Sequence, residues 1–511
     1  MLQPASIFNN VIGPVMVGPS SSHTAASARI GYLLRCMCQD RPEQVICEFS
    51  RSGSLAFCHE GQGTDMGLAA GLLGLNPEDE RLPQAMALAR QASIDLKFAI
   101  TDEHFAHPNT YSMRVRGKGR SFSALFISSG GGMIELQKFN GVPLSIDGGY
   151  HETLLLLEDH NEAKAQQILQ SLSAYLTDYE DICLSGSGAG DFIINVKSAR
   201  PLSQPLRGCI HIVQLPPLLP IQSYKRYQGL FNTAAEIEAL AAAQNCSLAR
   251  LALLYEARRG HITEAEVYEQ MRQLLQVMQR AIERAQSHPK YQDRILPPQA
   301  HMLKNAALLP NPALNAAIYC ITLLMEAKSA MLPIVAAPTA GSCAALPGAI
   351  IGAAQSLGMG EDEMTEALLA AGLVGILIAE HATFAAEVGG CQAECGAASG
   401  MAAAGLTQMM GGSVKEALNA AALALQNVFG LVCDPIAARV EAPCLGRNIM
   451  AGANALAMAQ VALAGFDPLI PLDETIAAMR EVGWKIDPSL RCTCQGGLSV
   501  TPTARAIENR L

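Results

Sequence analysis

Glu366-Ala367-Leu368-Leu369-Ala370-Ala371-Gly372-Leu373-Val374-Gly375-Ile376-Leu377-Ile378-Ala379-Glu380 is the longest apolar run in the chain, 13 residues closed by a glutamate at each end. It is shorter than the roughly 18–20 residues that cross a bilayer, so it predicts a helix buried in a protein core. The surrounding sequence, residues 223–511, is rich in Ala, Leu, Met and Gly. Thr263 with Glu266 and Ser413 with Glu416 have capping-box spacing, and the periodic stretches 263–285 and 414–429 follow them. An all-helical C-terminal domain is expected, broken by glycines where backbone must be exposed.

Upstream, residues 137–222 read as a smaller unit. A strand at 152–158, a helix at 161–176 and strands at 191–196 and 209–214 give the order β-α-β-β of a small ferredoxin-like module. Pro216-Pro217 and Pro220 make a stiff linker after it. Residues 1–136 mix glycine-rich turns with short apolar runs such as 44–49 and 124–127, which predicts an α+β domain. Ser128-Ser129-Gly130-Gly131-Gly132 is a turn near its edge. The fold class is multidomain: α+β, then ferredoxin-like, then all-α.

Composition narrows the function. Of the 511 residues 50% are hydrophobic, 16% charged and 5% aromatic, with a net charge of −10 and no basic run. Nucleic acid and membrane are therefore excluded as expected partners. No basic and apolar leader opens the chain, which points to the cytoplasm. Fifteen cysteines are many for a reducing compartment. Any one of them is an ordinary small core residue. Cys391 in Gly389-Gly390-Cys391-Gln392, Cys433 in Val432-Cys433-Asp434-Pro435 and Cys444 in Ala442-Pro443-Cys444 differ, because each sits at a Gly or Pro break. Three thiols on separate loops suit a metal or an iron-sulfur cluster, and spacing alone leaves the choice open.

Gly18-Pro19-Ser20-Ser21-Ser22-His23-Thr24, Ala337-Pro338-Thr339-Ala340-Gly341, Gly390-Cys391-Gln392-Ala393-Glu394, Leu431-Val432-Cys433-Asp434-Pro435, and Pro443-Cys444 with Arg447-Asn448 resemble the iron-sulfur-dependent L-serine dehydratases. The segments keep that family's order over nearly the whole chain. The resemblance implies a β-type domain (1–136), an ACT-like domain (137–222) and an α-type domain (223–511) fused in one chain. It also implies a [4Fe-4S] cluster on Cys391, Cys433 and Cys444, leaving one iron open as a Lewis acid. A small amino-acid substrate, conversion of L-serine to pyruvate and ammonia, and a homodimer are implied as well.

Acid-base and binding groups follow from the same segments. His23, an imidazole among three serines, is a candidate base. Ser20, Ser21, Ser22 and Thr24 are candidate carboxylate binders, or caps of the helix starting near Ala25. Asn109 in His107-Pro108-Asn109-Thr110, Thr339, Arg447 and Asn448 complete the candidate substrate contacts, with a turn former or a structural ion pair as the plainer readings.

Four departures bear on the substrate. Gly61-Gln62-Gly63-Thr64-Asp65 carries Gln62 where the family has a histidine, and glutamine transfers no proton; His59 lies three residues earlier. His381-Ala382-Thr383-Phe384-Ala385-Ala386 replaces a polar segment and makes His381 a second candidate base. In Arg491-Cys492-Thr493-Cys494 a thiol replaces the family carboxylate, so Cys492 or Cys494 is a candidate ligand to the open iron or an inert core thiol. Cys343 stays outside the ligand set. The alternatives are another β-hydroxy or β-thiol amino acid, a cluster-bearing amino-acid sensor, a zinc protein, and a pyridoxal-phosphate enzyme using the turn Ser185-Gly186-Ser187-Gly188-Ala189-Gly190.

Overall fold

A computed structural model describes residues 4–157, 161–188, 190–202, 209–224, 229–306 and 309–511. Residues 1–3, Glu158 at the end of one predicted strand, and Ala189 of the glycine-rich turn lie outside the described residues.

Alternating burial builds the first sheet. Val45, Cys47 and Phe49 of the strand Gln44–Ser50 and Tyr111, Met113 and Val115 of Thr110–Gly117 point to one face and are buried. The order is Asp95–Thr101, Gln44–Ser50, Thr110–Gly117, Arg120–Gly130, Met133–Phe139, Val142–Ile146, with only the first pair parallel. The helices Ala26–Cys38 and Thr64–Leu73 share a core with that face.

The predicted domain edge at 136 therefore falls inside a strand, Met133–Phe139. Gly131 and Gly132, with φ of 59° and 84°, reverse the chain into a hairpin instead of ending the domain.

The middle sheet runs Cys209–Leu215, His151–Leu157, Phe192–Ser198, Asp181–Gly186, every neighbouring pair antiparallel. The helix Glu162–Tyr175, capped by Asn161, connects the first of these in sequence to Asp181–Gly186. That last strand was not expected, because its Ser and Gly read as a turn.

The C-terminal body is helical, as its Ala-rich periodicity predicts. The run 367–379 lies in the helix Glu361–His381, packed inside the largest core. This helix and the segment Ala340–Leu357 are long and apolar enough to cross a membrane by composition, yet both are mostly buried here. Both expected capping boxes are present, at Thr263 before Glu264–Ala285 and at Ser413 before Val414–Gln426.

One boundary differs in kind. Ile7, Phe8, Val11 and Ile12 belong to the core of the helical body, and Val15–Met16 pairs with Ile334–Val335. The buried Glu256 carboxylate anchors this segment, accepting from the Ile7 amide at 2.8 Å and from the Ser6 hydroxyl. The first residues of the chain thus complete the last domain, which brings the loop 18–25 onto the cysteine-bearing segments.

Candidate active site

Residues Ser21–Ala25 form one wide helical turn that runs directly into Ala26–Cys38. Ser20 does not cap it with its side chain. Its hydroxyl lies 3.0 Å from His23 Nδ1, as does that of Ser22. Ser22 donates to Glu387 Oε1 at 2.7 Å, and His23 Nδ1 is 3.6 Å from the same carboxylate. With the Ser22 proton committed to Glu387, its oxygen accepts from Nδ1–H, which leaves Nε2 as the basic nitrogen. Nε2 faces Cys58 Sγ at 3.2 Å. His23 is fully buried.

The other hydroxyls of the loop join segments. Ser21 accepts from the Ala340 amide at 3.1 Å, and Thr24 donates to the Gln62 carbonyl at 2.9 Å. Thr339 donates to Glu394 Oε1 at 2.6 Å, where burial and the nearby Cys391 push the carboxyl well above its usual range. Asn109 is buried, accepts from Ser54 through Oδ1, and leaves Nδ2 without a partner among the described residues. A buried unpaired donor costs on the order of 1–3 kcal/mol, so this amide is poised for a ligand acceptor.

The thiols converge below. Cys391 follows Gly390, Cys444 opens the helix Cys444–Leu463, and Cys433 bridges to the C-terminal segment through Cys433 N–H to Leu490 O and Cys492 N–H to Cys433 O, both 2.8 Å. All three are buried, and Cys391 is near enough to perturb both Cys433 and Cys444. Cys395 donates to Cys391 and, with the Arg447 guanidinium, holds it below the usual thiol range. Burial alone would lower Arg447; the Cys391 and Asp434 charges more than offset it, and Arg447 donates to Asp434 at 2.6 Å. Burial pushes Cys444 up to about 12.

Two departures from the family pattern meet. Gln62 Nε2 donates to Cys492 Sγ at 3.1 Å, and Cys492 also hydrogen-bonds Cys433 and Cys58, which hold it well below the usual range. Cys494 is close enough to act on Cys58 and Cys492, but its Sγ donates to the Pro435 carbonyl at 3.6 Å.

His381 is not brought to this place: its ring bonds the Asn232 carbonyl at 2.6 Å, at the end of its helix. His59 is also elsewhere, bound to Asp65 at 2.7 Å and packed on Phe49 and Phe98. Asn448 spends its amide on structure, accepting from Ala345 N–H at 3.0 Å and donating to Gly341 O at 2.8 Å.

Reasoning from sequence missed Glu387, Cys58, Cys395 and Lys328. Lys328 is fully buried and donates to Val440 O, tethering the loop that leads to Cys444. Glu387 stood four residues before Cys391 and was the one legible signal.

No group of three His, Cys, Asp or Glu among the described residues is arranged to hold a metal ion. A cluster bridged by sulfide spreads its thiolates more widely than a single ion does, so buried thiols on three separate segments remain a fitting donor set for one.

A buried histidine, a carboxylate and converging thiols define an enzyme site built by two domains. Residues 234–499 match the family "Serine dehydratase alpha chain" and residues 7–138 match "Serine dehydratase beta chain". The probable L-serine dehydratase alpha chain of Bacillus subtilis is 34% identical over 55% of this chain and 95% of its own length. The L-serine dehydratase alpha chain of Peptoniphilus asaccharolyticus is 35% identical over 55% and 97%. The probable beta chain of Bacillus subtilis is 39% identical over 30% and 69%. The chain is a lyase and belongs to the serine dehydratase family, with alpha-type and beta-type parts in one polypeptide.

Proposed function

We propose that the protein dehydrates and deaminates L-serine to pyruvate and ammonia, with a [4Fe-4S] cluster held by Cys391, Cys433 and Cys444. The observation that carries this is the meeting of the His23 loop with Glu387 and the cysteine-bearing segments. When bound, the cluster supplies an open iron that polarises the substrate's β C–O bond. His23, fixed at Nδ1 by Ser20 and Ser22, takes the Cα proton at Nε2, and Glu387 stabilises the resulting imidazolium. The free Nδ2 of Asn109 receives the substrate carboxylate, and Arg447 supplies positive charge beside Cys391. Water leaves in the elimination, and hydrolysis of the resulting imine releases ammonia.

The Gln62–Cys492 contact favours a second reading, the same chemistry on another β-substituted amino acid. A thiol and an amide stand where the family has a carboxylate and an imidazole, and such exchanges alter specificity by orders of magnitude. The strand order of residues 151–215 supports an ACT-like module. Cytoplasmic location and a homodimer belong to the same reading, the latter checked by light scattering.

The test is anaerobic reconstitution with iron and sulfide, then ammonia and 2-oxo acid release over a panel of β-substituted amino acids. Turnover of L-serine that vanishes in Cys391→Ala supports the first reading. Turnover of a different amino acid alone supports the second; a formed cluster with no turnover overturns both.

A further inference from the structure

A cavity of about 740 Å³ lies apart from the site, where all three parts of the chain meet. Phe8 and Arg29 line it from the N-terminal part, Leu218 from the linker, and Gln273, Val277 and Arg280 from the helix Glu264–Ala285. Its volume is ample for a small ligand.

Arg29 is its distinguishing group. The residue is buried, and its Nη1 donates to the Gly132 carbonyl at 2.6 Å. It makes no ion pair among the described residues, and burial lowers it to about 10. A buried cation is costly unless an anion accompanies it. Nε and Nη2 make no hydrogen bond among the described residues, and the Arg29 residue lines the cavity. Arg280, exposed and also in the lining, has no ion pair among the described residues either.

The rest of the lining selects the anion. Arginine's planar fork matches a carboxylate. Phe8, Leu218 and Val277 offer apolar contact beside the polar Tyr32, Gln270 and Gln276, and the exposed Glu78 in the lining repels a second negative charge. We propose that this cavity binds a small organic monocarboxylate with an apolar body, its carboxylate on Arg29 and Arg280. The ligand would rest on Ala26–Cys38, the helix that continues from the His23 turn.

The probe is 4-methylpentanoate, titrated calorimetrically into the full chain. One saturable site per chain at millimolar concentration is expected, with no binding of 4-methylpentanamide. Arg280→Gln, an exposed change that leaves the fold intact, weakens it ~10-fold or more. Gln273→Trp fills the cavity mouth and abolishes it, whereas Cys391→Ala binds like wild type. Absence of saturable binding, equal binding of the amide, preference for inorganic phosphate, retention in Gln273→Trp with Arg280→Gln, or loss in Cys391→Ala overturns the proposal.

Discussion

Glu387 and Gln62 decide different things at the residue scale. Glu387 accepts from Ser22 and faces His23 at 3.6 Å, so Glu387→Gln removes the charge that steadies the imidazolium while keeping the shape. We expect kcat for the best substrate to fall ~10²-fold with KM within a few-fold. Gln62→His removes the amide donor to Cys492 and is expected to change the ratio of kcat/KM between L-serine and its competitors by ~10-fold or more. Glu152, far from the site, reports on stability. Burial raises its carboxyl to about 7, and the cation facing it among the described residues is Lys197 at 3.7 Å. A raised pKa means that the stabilising contribution is complete below the unfolded value near 4.5 and lost as pH passes about 7. Glu152→Gln should therefore unfold later than wild type at alkaline pH by about 2–3 kcal/mol, with the gap closing at acid pH. Chemical denaturation at the two pH values checks this.

Helix pairing sets the catalytic loop at the element scale. Ala26–Cys38 and Thr64–Leu73 touch backbone to backbone, and a Cβ at Gly71 would sit 2.0 Å from the Ala28 carbonyl. Gly71→Ala must push the helices apart, at a cost of about 1–3 kcal/mol. Because His23 leads the first helix, a fall in kcat alongside the lower Tm is the expected pair of readouts. A folded variant with unchanged turnover would show that the helix spacing does not set the loop.

On the scale of the whole molecule, the described N-terminal segment is part of the helical core. A chain starting at Ser223 would lose the burial of Ile7, Phe8, Val11 and Ile12, each worth ~1.5–3 kcal/mol. It should be aggregation-prone alone and recover when residues 1–222 are co-expressed, as sedimentation would reveal. The relatives named alpha and beta chains fit this picture, since the contacts require proximity and not covalent continuity.

Periodicity and composition were enough to read the helical body, the capping boxes and five of the twelve strands among the described residues, because these depend on neighbours a few residues apart. The three cysteine breaks were legible because Gly and Pro interrupt regular structure there, and the loop 18–24 was legible through the family resemblance; the loop and the three cysteines are all buried. The expected edge at 136 failed because a glycine hairpin and a glycine linker look alike until strand pairing is known. His381 stood behind His23 as a second candidate base in the sequence, and its helix turns it onto Asn232 while the His23 turn faces Glu387. Gln62 and Cys492 stood 430 residues apart as unrelated oddities, and only tertiary packing placed them 3.1 Å from each other. Local pattern fixes which groups are available; long-range burial decides which of them meet.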